Sequence, residues 1–245
     1  MATHTAVILA AGVGSRLRPL TDEKPKALVP VAGKSILSRA LDALRSVGVD
    51  RLVIASGYRE DAIRRELAGA PFEVIFRANQ DYAATQNSVS LAKCRDALEG
   101  DSFFRLDGDV VFDAEILLRL DSERAPLAAA VDSRRALDLE AMKVRVDPRS
   151  GWIASFGKGI PIDLAAGESI GIERIDRTAS RLLFDGLDEA AARGETHLYY
   201  EDVYSQLISR GALRAAAVEV GDLRWFEIDA PDDLVSAERL FGDRP

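Results

Sequence analysis

The chain has 245 residues, 47% hydrophobic and 29% charged, which fits one folded α/β domain and is not the composition of a disordered or membrane-embedded protein. Its 32 Lys and Arg against 40 Asp and Glu leave a net charge of −8, which argues against a broad nucleic-acid or anionic-membrane surface. Cys94 is the only cysteine and the two histidines, His4 and His197, lie far apart, so neither a disulfide nor a zinc site is expected and a reducing cytoplasm is the natural setting.

The apolar run 6–11 has no charged leader and enters a glycine loop, so 6–10 reads as a buried parallel strand rather than a signal peptide or membrane span. Apolar residues recur at helical spacing over 36–47, with Gly48 as a stop; a strand over 51–55, a helix over 61–67 and a strand over 72–76 follow. This alternation predicts a parallel sheet covered on both faces, with ligands at the carboxyl ends of its strands. Next come a helix over 85–98 and a strand over 102–106 ending in Asp107-Gly108-Asp109. From residue 126 the pattern shifts to shorter strands over 127–131, 142–146 and 152–156, with a turn at 147–151. Helices over 176–193 and 201–209, strands over 213–220 and 225–228, and a helix over 231–241 opened by Pro231 complete the chain. The expected architecture is one α/β, Rossmann-like domain over 1–245, with a mixed, mostly parallel central sheet, helices on both faces and a smaller β subregion.

The stretch L-A-A-G-V-G-S-R-L-R-P-L-T-D-E-K-P-K, residues 9–26, has the makings of a phosphate cradle. Gly12 and Gly14 let main-chain N–H groups approach an anion closely. Arg16 offers a planar fork, Lys26 a mobile point charge, and Pro25 stiffens the approach to Lys26. A dinucleotide fingerprint would want Gly or Ala at Leu17, and a Gly-Lys-Ser phosphate loop would want Gly at Leu28, ahead of Gly33-Lys34-Ser35. Ser35 reads instead as a helix N-cap. A plain turn of small residues is the remaining alternative, and Arg16 with Pro25-Lys26 argues against it.

This stretch, continuing through A-L-V-P-V-A-G-K-S-I-L, resembles the signature of the sugar nucleotidyltransferase superfamily, which is GT-A-like. The resemblance implies a loop of Leu9, Ala10, Ala11, Gly12, Gly14 and Ser15 that binds a nucleoside triphosphate. It implies Arg16 and Lys26 as the catalytic, phosphate-binding basic residues, and a divalent metal nearby. It also divides the chain into a nucleotide-binding half, about 1–125, and an acceptor-binding half, about 126–245.

A triphosphate is handled as its magnesium complex, held by one or two carboxylates and phosphate oxygens. Composition alone leaves Asp107-Gly108-Asp109 as readily an Asp/Gly turn as a metal site. The resemblance places a metal-binding Asp in the Gly108-Asp109 context, with Asp107 second and a candidate for the nucleotide. In W-F-E-I-D-A-P-D-D-L, Glu227 and Asp229 are two apart, so in a strand both face one side. A helix cap is the other role open to Asp229, and Asp232 and Asp233 complement the helix dipole. The stretch resembles the second metal motif of the short cytidylyltransferases, including the phosphocholine type, so Mg2+ is expected at Asp109, Glu227 and Asp229.

Ser56-Gly57-Tyr58 and Thr85-Gln86-Asn87-Ser88 sit at strand-to-helix edges suited to reading a base. The run N-Q-D-Y-A-A-T-Q-N-S-V-S-L resembles the N-x-x-Y-x-x-T-N-N segment of phosphocholine-like cytidylyltransferases, with Gln86 in place of Asn. Gly57, Tyr58, Thr85, Gln86 and Asn87 are therefore nucleotide candidates. Candidate acceptor contacts are Lys143, Trp152, Lys158, Glu168, Tyr199, Tyr200, Glu201, Asp202 and Trp225. Lys158 in F-G-K-G and Glu168 in G-E-S-I-G-I match the family's acceptor-side lysine and acid. The Tyr199-Tyr200-Glu201-Asp202 run suits an ammonium group equally as it suits a helix start.

The expected function is a cytoplasmic, magnesium-dependent nucleotidyltransferase. It joins a nucleotide, with CTP favoured, to phosphocholine, 2-aminoethylphosphonate, inositol 1-phosphate or a similar small acceptor, and releases pyrophosphate. Hexose 1-phosphate as acceptor is the alternative within the class, and a catalytically silent nucleotide-binding relative is the alternative outside it. No nucleic acid or membrane insertion is expected, and a homodimer is left open.

Overall fold

Thr5–Ala10 (β1) is buried along its whole length, as befits an apolar run with helices on both faces. In the computed structural model, which describes residues 3–242, it lies inside a nine-stranded sheet. After it come the hairpin strands Pro30–Val31 (β2) and Lys34–Ser35 (β3), then Ile36–Ser46 (α1), Arg51–Ser56 (β4), Glu60–Glu66 (α2) and Glu73–Ala78 (β5). Asn87–Ala92 (α3) and Arg95–Leu98 (α4) lead to Phe103–Asp107 (β6), Val110–Phe112 (β7), Glu115–Ser122 (α5) and Leu127–Asp132 (β8). Lys143–Val146 (β9), Ile153–Gly157 (β10) and Gly167–Ile175 (β11) follow, then Arg177–Ala192 (α6) and Tyr200–Ser209 (α7). Ala215–Glu219 (β12), Trp225–Glu227 (β13) and Pro231–Phe241 (α8) close the fold.

β1 pairs in parallel with β4 and β6, and β5 with β4, so the first half is the expected parallel sheet in the order β5-β4-β1-β6. β11 then runs antiparallel to β6 and β8, β12 adds in parallel to β8, and the β9–β10 hairpin extends the start of β11. Side chains alternate along β1. Ala6, Ile8 and Ala10 join the core under α1 and α5, whereas Val7 and Leu9 join the core under α3, α6 and α7. A third, smaller core gathers Leu17, Val29, Val31, Ile36, Ile228 and Ala237. It ties α8 to the loop after β1.

Ser35 caps α1 as expected, its Oγ accepting from Ser38 N at 3.0 Å. Five elements escaped the periodicity argument: the short strands β2, β3 and β7, the helix α5 and the strand β11. α5 buries Ile116, Leu117 and Leu120, but it follows the apolar β7 so closely that the two merge into one unpatterned run. β11 carries Glu173 and Arg174, both buried, where a half-buried strand would show an apolar/polar alternation. The single helix expected over 85–98 is two, broken at Lys93-Cys94, and begins at Asn87 because Thr85 Oγ1 turns back to the Asp81 carbonyl at 2.9 Å. Among the described residues no helix is long and apolar enough to cross a membrane.

Candidate active site

Beyond β1 the chain turns through Gly12 and Gly14. Gly14 takes φ +67°, a conformation that favours glycine, and a Cβ there would stand 2.9 Å from Lys26 Cβ. Thr21 Oγ1 donates to the Gly14 carbonyl at 2.8 Å, and Leu17 is fully buried in the α8 core. With Leu17 held inward, Ser15 and Arg16 face a hollow of about 360 Å³ that Ala10, Gly12, Gly14 and Lys26 also line. It adjoins a cleft of about 600 Å³ to which Leu9, Ala11, Gly12 and Arg16 contribute.

Asp109 follows β6, and the short ladder between β7 and β13 brings the far end of the chain to it. Glu227 pairs with Val110, and Ile228 N donates to the Asp109 carbonyl at 3.0 Å. Carboxylate oxygens of Asp109, Glu227 and Asp229 come within 4.8 Å of one another. Lys26 Nζ donates to Asp109 Oδ2 at 2.7 Å and to Asp229 Oδ1 at 2.5 Å, and Arg16 Nη2 lies 2.7 Å from Asp229 Oδ2. Asp229 is not the cap of α8: Asp233 Oδ2 accepts from Asp229 N and Ala230 N at 3.0 and 2.7 Å.

The electrostatics follow from this crowding. Desolvation within the cleft, then repulsion from Asp109 and Asp229, pushes the Glu227 carboxyl up to about 8, although the residue keeps an exposed side at the surface. Burial would raise Asp229 too, but Lys26 and Arg16 hold it below the usual carboxylate range. Burial would lower Lys26, and attraction to Asp109 and Asp229 raises it instead. Asp109 Oδ1 is buried without a hydrogen-bond partner. An orphaned carboxylate oxygen beside two further carboxylates is a donor set that fits a hard divalent cation.

Asp107 lines the cleft with both its oxygens already engaged. Oδ1 is 2.8 Å from Arg105 Nη1, and Oδ2 accepts from Tyr200 Oη at 2.9 Å, so Asp107 stands apart from the three-carboxylate cluster. Arg105, fully buried, also pairs with Glu173 and lies 3.7 Å from the centroid of the Tyr200 ring. Burial pushes the Glu173 carboxyl up to about 7 despite the attraction of Arg105. Gly171, at φ +75° where β8 and β11 shift register, leaves the space the Asp107 carboxylate occupies. Sequence reasoning missed this buried network, although a charged Arg105 flanked by apolar residues inside a strand was its signal.

Thr85, Gln86, Asn87, Lys158, Glu168, Tyr199 and Trp225 all line the cleft. Several expected contacts do not. Gly57 packs under the Ala11 carbonyl and Tyr82, with no room for a Cβ, and Tyr58 donates its hydroxyl to the carbonyls of Thr21 and Asp22 at 3.0 and 2.7 Å. The pair thus braces the glycine loop from outside. Tyr200 is buried under Asp107, and Asp202 accepts from Tyr199 N at 2.8 Å at the start of α7. The acid of that run that faces the cleft is Glu201, 4% exposed, with Oε2 unpartnered. Lys143 is buried and donates to the carbonyls of Asp138 and Ala141, each at 3.1 Å, clamping the loop between β8 and β9. That loop brings Arg135, Asp138 and Glu140 to the cleft, and nothing in its polar sequence marked them. Trp152 lies outside the lining.

Residues 6–207 match the model of the MobA-like NTP transferase domain. The chain is 33% identical over 246 residues to CMP-5'-(3-aminopropyl)phosphonate synthase of Streptomyces rubellomurinus, covering 96% of this chain and 38% of that protein. It is 27% identical to CTP:phosphoglutamine cytidylyltransferase of Campylobacter jejuni, covering 94% of this chain and 97% of the relative. The inositol-1-phosphate CTP transferase structure from T. maritima superposes with a TM-score of 0.81 at 23% identity, covering 100% of this chain and 99% of that one. The chain spans 38% to 54% of the length of several curated relatives that it matches.

Proposed function

The chain belongs to the MobA-like NTP transferase domain family, and from that premise we propose that it is a magnesium-dependent cytidylyltransferase acting on a small aminoalkyl phosphonate or phosphate. The observation that carries this is the meeting of Lys26 with Asp109 and Asp229, residues 83 and 203 positions away in sequence, at the mouth of the glycine loop. CTP is favoured because two relatives aligned over nearly the whole of this chain bear names that specify a CMP product or a CTP substrate.

In this mechanism the loop N–H groups and Arg16 hold the β- and γ-phosphates, and Lys26 neutralises charge at the α-phosphoryl group. Asp109, Glu227 and Asp229 would hold the metal ion, which would supply Lewis-acid neutralisation of the triphosphate. An anionic oxygen of the acceptor attacks the α-phosphorus as the bond from that phosphorus to the bridging oxygen breaks, and pyrophosphate departs with the electron pair. The nucleophile is already ionised, so the protein supplies alignment and no strong base. Thr85, Gln86 and Asn87 read the base, and Lys158 orients the acceptor's oxyanion. Glu168 and Glu201 give the acceptor end two carboxyl groups whose oxygens can accept hydrogen bonds from an ammonium group. Cys94, the one cysteine, is buried, in keeping with a cytoplasmic enzyme.

The test is a matrix of four nucleoside triphosphates against 2-aminoethylphosphonate, 3-aminopropylphosphonate, phosphocholine, inositol 1-phosphate and glucose 1-phosphate, read as pyrophosphate release. CTP with an aminoalkyl phosphonate should turn over fastest. Turnover only with glucose 1-phosphate would replace this reading by a hexose-1-phosphate nucleotidyltransferase. No release in any cell of the matrix would leave a silent nucleotide-binding relative.

A further inference from the structure

Among the described residues, three basic side chains line the large cleft: Arg16, Arg135 and Lys158. Two have carboxylate partners, since Arg16 lies 2.7 Å from Asp229 and Lys158 lies 3.3 Å from Glu140. Arg135 differs. Its main-chain N–H is bound to Asp132 Oδ1 at 3.1 Å, but among the described residues its guanidinium has no hydrogen-bond or carboxylate partner. What it has is a platform. The guanidinium carbon lies 4.7 Å from the centroid of the Trp225 ring and 4.9 Å from that of Phe226.

That platform is fixed. Trp225 is 5% exposed and donates Nε1–H to Asp132 Oδ2 at 2.8 Å, so one buried carboxylate anchors both the arginine's backbone and the ring beneath it. A guanidinium set over aromatic rings keeps the N–H groups turned away from them for a planar, two-pronged grip on an oxyanion. Trp225 and Phe226 immediately precede Glu227 in β13, which ties this cation to the strand that bears a cluster carboxylate.

We propose that Arg135 is an acceptor-binding residue: held on Trp225 and Phe226, it presents its N–H edge to the phosphonate or phosphate oxygens of the acceptor and fixes them for attack. The inference rests on the nucleotidyltransferase reading above. A merely structural arginine, covering two aromatic rings, would be replaced by methionine with little consequence for ligands.

Two measurements separate these cases. In steady-state kinetics with CTP and 2-aminoethylphosphonate, Arg135→Met should raise the acceptor KM by roughly 10- to 100-fold, the size of a lost charge-assisted bond, and leave the CTP KM within about twofold. Arg135→Lys, which keeps charge but loses the fork, should fall between. Arg134→Met, one position away and the same change in net charge, should leave the acceptor KM within about twofold. Independently of turnover, phosphorus NMR line broadening of methylphosphonate in EDTA should be several-fold weaker with Arg135→Met than with wild type. Equal broadening, or an acceptor KM that Arg135→Met does not move more than Arg134→Met does, would overturn the proposal. Lost broadening in a protein that turns over no substrate pair would support oxyanion binding at Arg135 while the transferase reading fails.

Discussion

Lys26 holds its ammonium 2.5 Å from the carboxylate of Asp229. Asp229 also takes Arg16 at 2.7 Å, so the two cations best placed for a triphosphate are both engaged by a carboxylate best placed for a metal. If Asp229 were to ligate a cation, Lys26 and Arg16 would each lose a carboxylate partner and be freer for phosphate, and by linkage each ligand would strengthen the other.

The first prediction follows from that masking. In EDTA, isothermal calorimetry should show metal-free CTP binding more tightly to Asp229→Asn than to wild type, by roughly tenfold. Measured at pH 9, above the value of about 8 to which its carboxyl is pushed, Glu227→Gln removes the same charge, but Glu227 makes no bond to Lys26 or Arg16 among the described residues, so its gain should be smaller. Adding Lys26→Met to Asp229→Asn should cancel most of the increase. Equal gains in the two single variants would reduce the effect to net charge.

Turnover should respond in the opposite sense. Lys26→Ala and Asp109→Asn should each lower the rate of pyrophosphate release by about 10²-fold or more, the scale of removing one preorganised charge from a transition state. The circular dichroism spectrum of each should match wild type. Near-normal turnover in both would defeat the assignment of the site.

How far the sequence carried this site depends on which interaction builds each part. The loop from Leu9 to Lys26 was legible because its glycines, Arg16 and Pro25-Lys26 form a local pattern. Glu227 and Asp229 were legible because strand spacing puts them on one side. The order β1, β4, β5 and β6 followed from alternating patterns, whereas β7 and β11, among the elements left uncovered, exist through long-range pairing with β13 and with β6 and β8. Tyr200 and Asp202 were expected at the acceptor, but helix phase decides which of four consecutive side chains face the cleft. Tyr199 and Glu201 do, because Tyr200 is drawn inward by Asp107 and Asp202 is held at the helix start. Arg105 and Glu173 are partners only across the β6–β11 pairing, where each stands in register with the other.

That buried pair gives a stability prediction. Arg105→Met leaves the half-buried Asp107 and the fully buried Glu173 without their cation, and the loss should be about 3–5 kcal/mol in urea unfolding. Adding Glu173→Gln removes one of the orphaned charges and should recover part of it. Tyr200→Phe keeps the ring over Arg105 and deletes only the hydroxyl bound to Asp107, for a loss of about 1 kcal/mol. A Tyr200→Phe loss as large as that of Arg105→Met would place the energy of the network in the hydroxyl instead of the cation.

Cys94 gives the pH dependence. Its side chain is fully buried, and that burial pushes the thiol up to about 12, whereas an unfolded cysteine ionises near roughly 8.5. Below the unfolded value both states hold the proton and the group contributes no slope. Between the two values the unfolded chain releases a proton that the folded chain keeps, so stability falls as pH rises, by about 1.4 kcal/mol per unit. Tyrosines and lysines titrate in the same range, which is why the comparison must be with Cys94→Ala. The small cavity that variant creates shifts its stability by an amount independent of pH, so the difference between the two curves isolates the thiol. Urea unfolding at pH 8, 9.5 and 10.5 should show the wild type losing ground to Cys94→Ala at each step. A constant difference across that range would mean that the thiolate is accommodated in the folded protein, and that the packing around Cys94 at the break between α3 and α4 opens to water.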